Sequence, residues 1–362
     1  MKVERNTENA LSKILKLIAP GTPIREGLES ILRAKTGALL LITDNSEILK
    51  EIVDGGFTIN EEYTSSKLYE LAKMDGAIVL SGDFKKILFA NAQLIPSHQI
   101  ATLETGTRHR TAERTAKQTG ELVISISQRR NIITIFKGND RYILEDTNTV
   151  LNKANQAIQT LERYKKVFDN KLNILNEYEF NDIVTLQNVI TVLQRAEMVM
   201  RIAEEIEKNI AELGSDGRLV RMQLEELLGD IENEELFIIK DYMVKKRKKI
   251  TAEDILKNLS ELSYEDLNNE NFIAKILGYD NFDNYDEIGV YTRGYRILNK
   301  IPRMPNNIVE NLVSSFKSFQ HILAADIENL DDVEGIGEVR ARTIKQSLTR
   351  MQEQFVFDNV MF

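Results

Sequence analysis

The stretch TGTRHRTAERTAKQTG, residues 105–120, gathers Arg108, His109 and Arg110 between the hydroxyls of Thr107 and Thr111, directly after Gly106 and at the start of a helical pattern. A helix N-terminus already carries partial positive charge, so an ordinary surface helix favours acids there. Added cations instead suit an anion, above all a multiply charged phosphate chain. A second stretch, Asp75-Gly76-Ala77, falls where a helical pattern ends and an apolar run begins. A carboxylate there can hold a divalent metal, and the glycine lets a bulky ligand approach the backbone. The third is the end of ELVISISQRR, where Ser125, Ser127, Gln128, Arg129 and Arg130 bring hydroxyls and charge to a strand terminus, a usual place for ligands in α/β sheets. Taken singly, each has a plainer reading as a charged surface helix, a turn or a polar strand end.

These residues need a sheet to hold them. GALLLI (37–42), GAIVLS (76–81), KILFANAQLI (86–95), ELVISIS (121–127) and NIITIFKG (131–138) read as strands, with helical patterns between several of them, notably SSKLYELAKM (65–74). That alternation predicts an α/β domain over residues 1–147. Beyond it the period changes. Val150, Ala154, Ala157, Leu161, Tyr164, Phe168, Leu172 and Leu175 recur every three or four residues, and a similar series runs from Leu186 to Leu213. Two long amphipathic helices are therefore expected in a spacer spanning 148–290. Within it GSDG (214–217) reads as a turn, Thr251 with Asp254 as a capping box, and KKRKK (245–249) as a solvated face.

The last region, 291–362, repeats itself at an offset of 32 residues: Leu298, Ile301, Met304 and Leu312 recur as Leu330, Val333, Ile336 and Ile344. The second copy carries Gly335 and Gly337 in a tight turn and resembles a helix-hairpin-helix module; the first reads as a degenerate version with Pro302 and Pro305 replacing the glycines. In such modules backbone N–H groups of the hairpin bind a DNA phosphate without reading bases. Here Arg340, Arg342 and Lys345 would add phosphate contacts. The region holds nine Lys/Arg and nine Asp/Glu, with Glu334 and Glu338 flanking the turn unfavourably. DNA binding is thus expected to be weak, salt-sensitive and directed by shape.

Composition narrows the choices. With 42% hydrophobic and 28% charged residues the chain is an ordinary globular one, and at 362 residues it is long enough for two or three domains. The absence of cysteine excludes disulfides, thiolate metal sites and a cysteine nucleophile. A net charge of −9 gives no general attraction to nucleic acid. No apolar run is long enough to span a bilayer, and Lys13 and Lys16 interrupt the first amphipathic segment, so no signal peptide and a cytoplasmic place are expected. No Gly-rich Lys-Ser/Thr phosphate loop occurs.

Taken together, Asp75-Gly76-Ala77, Gly106-Thr107-Arg108-His109-Arg110, the helical spacer and the C-terminal hairpin resemble the DNA integrity scanning family of bacterial diadenylate cyclases over essentially the full length. The resemblance implies a multidomain α/β plus α protein: an N-terminal cyclase domain with a central mixed sheet, a long helical spacer and a C-terminal helix-hairpin-helix domain. It implies that two ATP molecules are joined into cyclic di-AMP with release of two pyrophosphates, in a cytoplasmic, nucleoid-associated setting. Residue by residue, Asp75 would bind the metal, Mg²⁺ or Mn²⁺; Gly76 and Leu94 would help to hold the nucleotide. Thr107, Arg108, His109 and Thr111 would cradle the triphosphate, with Ser127 at its far end. Such a transfer asks for position and charge stabilisation, since nucleophile and leaving group both belong to the substrates. His109 is then a hydrogen-bond donor to the leaving pyrophosphate. Asp75 is a metal ligand, a base or both, with the metal role favoured because metal binding lowers a carboxylate's pKa.

The product is a two-fold ring and the chain has one motif set, so two sites must face each other across an isologous interface. The resemblance extends this to an octamer of such dimers that senses branched or damaged DNA and is inhibited by it. The competing reading is a non-catalytic scaffold for branched DNA whose N-terminal domain serves assembly only. Assembly alone does not require Asp75 and the set at 107–111.

Overall fold

The computed structural model describes residues 13–244, 250–280 and 284–358. The first twelve residues of the expected N-terminal amphipathic segment and the basic run at 245–249 lie outside them. Two compact units are present, Met1–Gln156 with Ile206–Met222, and Ala157–Glu205 with Gln223–Phe362. Among the described residues no helix is long and apolar enough to cross a membrane.

The first unit is built on an eight-stranded mixed sheet. Helix α1 (Pro23–Arg33) leads to β1 (Ala38–Ile42), followed by α2 (Ser46–Ile52), β2 (Val53–Asp54), β3 (Phe57–Glu62), α3 (Ser65–Leu71), β4 (Ala77–Leu80), β5 (Lys86–Leu94), α4 (Thr107–Thr119), β6 (Leu122–Ser127), β7 (Ile132–Lys137) and β8 (Asp140–Leu144). The strand order is β2-β5-β4-β1-β6-β7-β8, with β3 also on β5. β1 and β4 are parallel, and β1 meets β6 antiparallel.

Alternation along β1 divides the core. Ala38, Leu40 and Ile42 join Ile24, Leu28 and Ile31 of α1 on one face. Leu39 and Leu41 join Ala112 and Ala116 of α4 on the other. Strands covered on both faces lose the polar alternation of a half-exposed strand and read as continuous apolar runs. The face under α4 therefore settles where the 105–120 stretch lies.

In the second unit the long helices α5 (Thr147–Asn181) and α6 (Leu186–Leu213), which also contribute to the first, contain the expected amphipathic series. The segment GSDG, which belongs to the first unit, forms a short 3-10 helix, with Gly214 at φ 52°. Thr251 and Asp254 make both bonds of a capping box. Asp241 accepts hydrogen bonds from the amides of Tyr295 and Arg296, while the buried Arg296 guanidinium pairs with Glu179 and bonds Asn176.

The 32-residue repeat is present in the backbone. Helix Tyr295–Asn299 corresponds to Ile327–Asp331, and the start of Asn306–Phe316 to the start of Glu338–Asp358. The turn bonds recur as well: Ile301 N–H to Leu298 matches Val333 N–H to Leu330, and Val309 N–H to Pro305 matches Ala341 N–H to Gly337. One expectation is corrected. Pro305 does stand at the position of Gly337, but Gly335 (φ +83°) corresponds to Arg303, not Pro302, and Arg303 adopts the same left-handed region at φ 59°. The first copy accepts that backbone strain without a glycine.

Candidate functional site

The motif residues gather along one edge of the sheet. Parallel register sets Leu40 against Ile78, and antiparallel register sets Ala38 against Ile126. Extending both ladders by a few residues puts Gly37 between Asp75 and Ser127. α4 begins over this edge. Its N-cap is Gly106, in an extended conformation (φ −88°, ψ 146°) and without a side-chain cap bond. The first-turn amides lack intrahelical acceptors, so they remain available to an anion. The helix ends at Gly120 in the left-handed region, φ 70°.

Arg108 and Asp75, widely separated in sequence, meet here: Nη2 lies 3.8 Å from Oδ1. The Asp75 carboxylate is fully exposed and Arg108 about one-third exposed, so this ion pair is weak and open to exchange with a ligand. Thr107 is exposed and Thr111 half-buried on the same helix start. At the end of β6, Ser127 Oγ accepts the Arg130 amide at 3.2 Å. Among the described residues no group of three or more His, Cys, Asp or Glu is placed to hold a metal. A lone exposed carboxylate nevertheless fits Mg²⁺ or Mn²⁺ held jointly with substrate phosphates, since such ions keep waters and need only one or two protein ligands.

His109 departs from its expected place. It is only 4% exposed, and its ring turns from the helix start into the sheet. Nδ1 lies 3.1 Å from Ser125 Oγ and Nε2 3.4 Å from Thr134 Oγ1, while Phe136 meets the ring edge-on. Ser125 and Thr134 are direct cross-strand partners on β6 and β7, both wholly buried. Burial holds the imidazole below its ordinary pKa, keeping it neutral at neutral pH. The hydroxyls need partners in an apolar layer, and the ring supplies them. In this geometry both ring nitrogens are engaged by hydroxyls of the sheet, an anchoring contact for the start of α4.

Other motif residues also lie differently. Gly76 (φ +97°) is required by its backbone and by the close approach of β5: a Cβ would lie 2.9 Å from the Ala92 carbonyl oxygen, so the Cβ position is filled by protein. Leu94 buries its side chain in the apolar layer under α4. Arg130 and Arg141 both turn to Glu104, at 3.5 and 2.6 Å, which moderates the positive charge expected after β6.

Sequence reasoning passed over the loop before α4. Glu113 accepts the Leu103 amide at 3.2 Å and a short bond from Thr102 Oγ1, Arg114 donates to the Ile100 carbonyl at 2.9 Å, and Gln118 accepts the Ser97 amide at 2.8 Å. The spacing along α4 contained this signal: Glu113 with Lys117 and Arg114 with Gln118 are i, i+4 pairs, and Lys117 also donates to the Ala101 carbonyl of the loop. The secured loop presents Leu103, 96% exposed.

The predicted DNA contacts are mostly engaged within the fold. Lys345 donates to the carbonyls of Leu323 and Ala325, Arg340 to that of Gly335, and Arg342 pairs with Glu338. Gly337, whose Cβ position is open, lies at the start of the last helix, where its carbonyl accepts the amides of Arg340 and Ala341.

The family described as DisA bacterial checkpoint controller nucleotide-binding matches residues 25–141, and that described as DisA bacterial checkpoint controller linker region matches 144–285. The chain is 55% identical over 360 residues to the DNA integrity scanning protein DisA of Clostridium botulinum, covering 99% of this chain and 100% of the relative. It is 56% identical over 344 residues to the protein of that name from Clostridioides difficile, covering 95% and 96% respectively.

Proposed function

The chain belongs to the family of the DNA integrity scanning protein DisA, and from that membership we propose that it is a diadenylate cyclase that joins two ATP molecules into cyclic di-3′,5′-AMP and releases two pyrophosphates. The observation that carries this reading is the meeting of Arg108 and Asp75 at 3.8 Å beside an uncapped helix start. The α4 amides, Thr107 and Arg108 bind the triphosphate, with Thr111 and Ser127 supplying hydroxyls. Gly76 and Leu94 hold the nucleotide through backbone shape rather than through open side-chain contacts. His109 keeps the helix start on β6 and β7. Asp75 would hold Mg²⁺ or Mn²⁺, whose charge would offset that of the reacting phosphates.

Each attack joins a 3′-oxygen to an α-phosphorus, breaks the bond to pyrophosphate and releases the hydroxyl proton. One site provides one such attack. Two copies facing across a two-fold axis complete the ring, and exposed Met74, Ile95 and Leu103 give the face apolar surface suited to a partner. The doubled helix-turn-helix repeat serves as a helix-hairpin-helix DNA module, a reading supported by the relatives' name and by a helix start at Gly337, a residue with no side chain to cap it.

Asp75→Asn tests the cyclase reading. The substitution removes charge with little change in volume. It should lower cyclic dinucleotide formation by more than a hundredfold while assembly is retained, an effect of at least about 2.7 kcal/mol on the barrier. Activity near that of the unaltered protein would remove Asp75 from the reaction.

A further inference from the structure

Gly37 immediately precedes β1, beside the Arg108–Asp75 pair, and nothing in its backbone demands glycine: its φ lies outside the left-handed region. The demand comes from a neighbouring side chain. A Cβ on residue 37 would lie 2.2 Å from Arg108 Nη1 and 3.3 Å from Cζ, with the Ile126 carbonyl oxygen at 3.1 Å. Gly76, by contrast, makes room for the β5 backbone.

We propose that Gly37 is a positioning residue for the nucleotide reaction: the missing side chain forms the seat of the Arg108 guanidinium, holding it at the sheet edge beside Asp75. This rests on the reading of Arg108 as a triphosphate ligand. The guanidinium points its Nη1 end at the glycine, with Nη1 nearer the Cβ position than Cζ, between the beginning of β1 and the end of β6. Adding one methyl group asks the Ile126 carbonyl to give by about a few tenths of an ångström and expels the far end of a flexible side chain. The cation is kept, and its position is lost.

The test is a double-mutant cycle read by calorimetric binding of ATP with a divalent metal, alongside thermal melting and steady-state kinetics. Arg108→Ala should weaken ATP binding tenfold to a hundredfold, roughly the range for a charge-assisted hydrogen bond. Gly37→Ala should weaken it about tenfold, with a melting temperature within about 3 °C of the unaltered protein, because replacing glycine at an allowed φ is not itself destabilising. In the Arg108→Ala background, Gly37→Ala should have no further effect on binding, and in the Arg108→Lys background less than about twofold, because the compact ammonium can clear the added methyl. KM should carry most of the loss in Gly37→Ala. An equal loss from Gly37→Ala with and without the Arg108→Ala substitution, an unchanged affinity in Gly37→Ala, or a fall in melting temperature beyond about 5 °C would overturn the proposal. If Arg108→Ala itself binds ATP normally, the reading of the site fails first, and the role of Gly37 fails with it.

Discussion

Consecutive residues on an α-helix point about 100° apart, and Arg108 and His109 divide two tasks between them. Arg108 stays at the solvent edge beside Asp75, while His109 turns down among Ser125, Thr134 and Phe136. Removing the Ser125 hydroxyl leaves Nδ1 without a partner in a buried layer, a loss of about 1–3 kcal/mol. Ser125→Ala should therefore lower the melting temperature and weaken ATP binding severalfold, although Ser125 itself is inaccessible. Normal ATP affinity in this variant, with binding lost in His109→Ala, would place the imidazole on the phosphate after all. The pH sense is fixed by the depressed pKa: the folded protein resists protonation, so the anchor is intact above the ordinary histidine value of 6.5 and loses strength as pH falls below it. The cationic character of 107–111 was legible from residue type alone. The inward turn of His109 was also encoded, since His109, Ala112 and Ala116 form one stripe at i, i+3 and i+7, but charge beside charge drew attention away from that period.

At the scale of elements, legibility followed burial. β1, β4 and β6 are covered on both faces, and their apolar runs stand out in the sequence. β3, FTINEE, is almost wholly exposed, and β8, DRYIL, is buried only toward its end, so neither carries an apolar alternation strong enough to identify a strand. The C-terminal repeat was legible as a period of 32, but the match of Gly335 to Arg303 was not, because a non-glycine residue with positive φ has no reliable sequence mark. Gly337 offers a direct test of the DNA role. Its Cβ position is open and it stands at an N-cap, where aspartate is favourable. Gly337→Asp should keep or raise thermal stability, yet weaken binding of the full chain to branched DNA at least tenfold at moderate salt by setting a carboxylate against the phosphate. Titration of labelled junction DNA measures this; undiminished affinity would remove that turn from the interface.

Across the whole molecule, the proposed cyclase reading makes the single chain, with one motif set, an incomplete catalyst for a symmetric product. Leu103 and Ile95 are exposed and the Asp75 carboxylate is fully exposed, surface that the proposed second copy would cover. On the proposed reading, tasks are divided between subunits as well as between residues: each chain would hold one triphosphate, and its partner the 3′-hydroxyl that attacks. The sheet order could not be read from the motifs, because it depends on contacts between segments distant in the chain. The most direct measurement of the central claim is to incubate the full-length protein with ATP and Mg²⁺ or Mn²⁺, then resolve the nucleotide products by mass while counting pyrophosphate. The account predicts cyclic di-AMP with two pyrophosphates for every ring; ADP with inorganic phosphate, or unchanged ATP under conditions where the assembled protein binds it, would contradict the account.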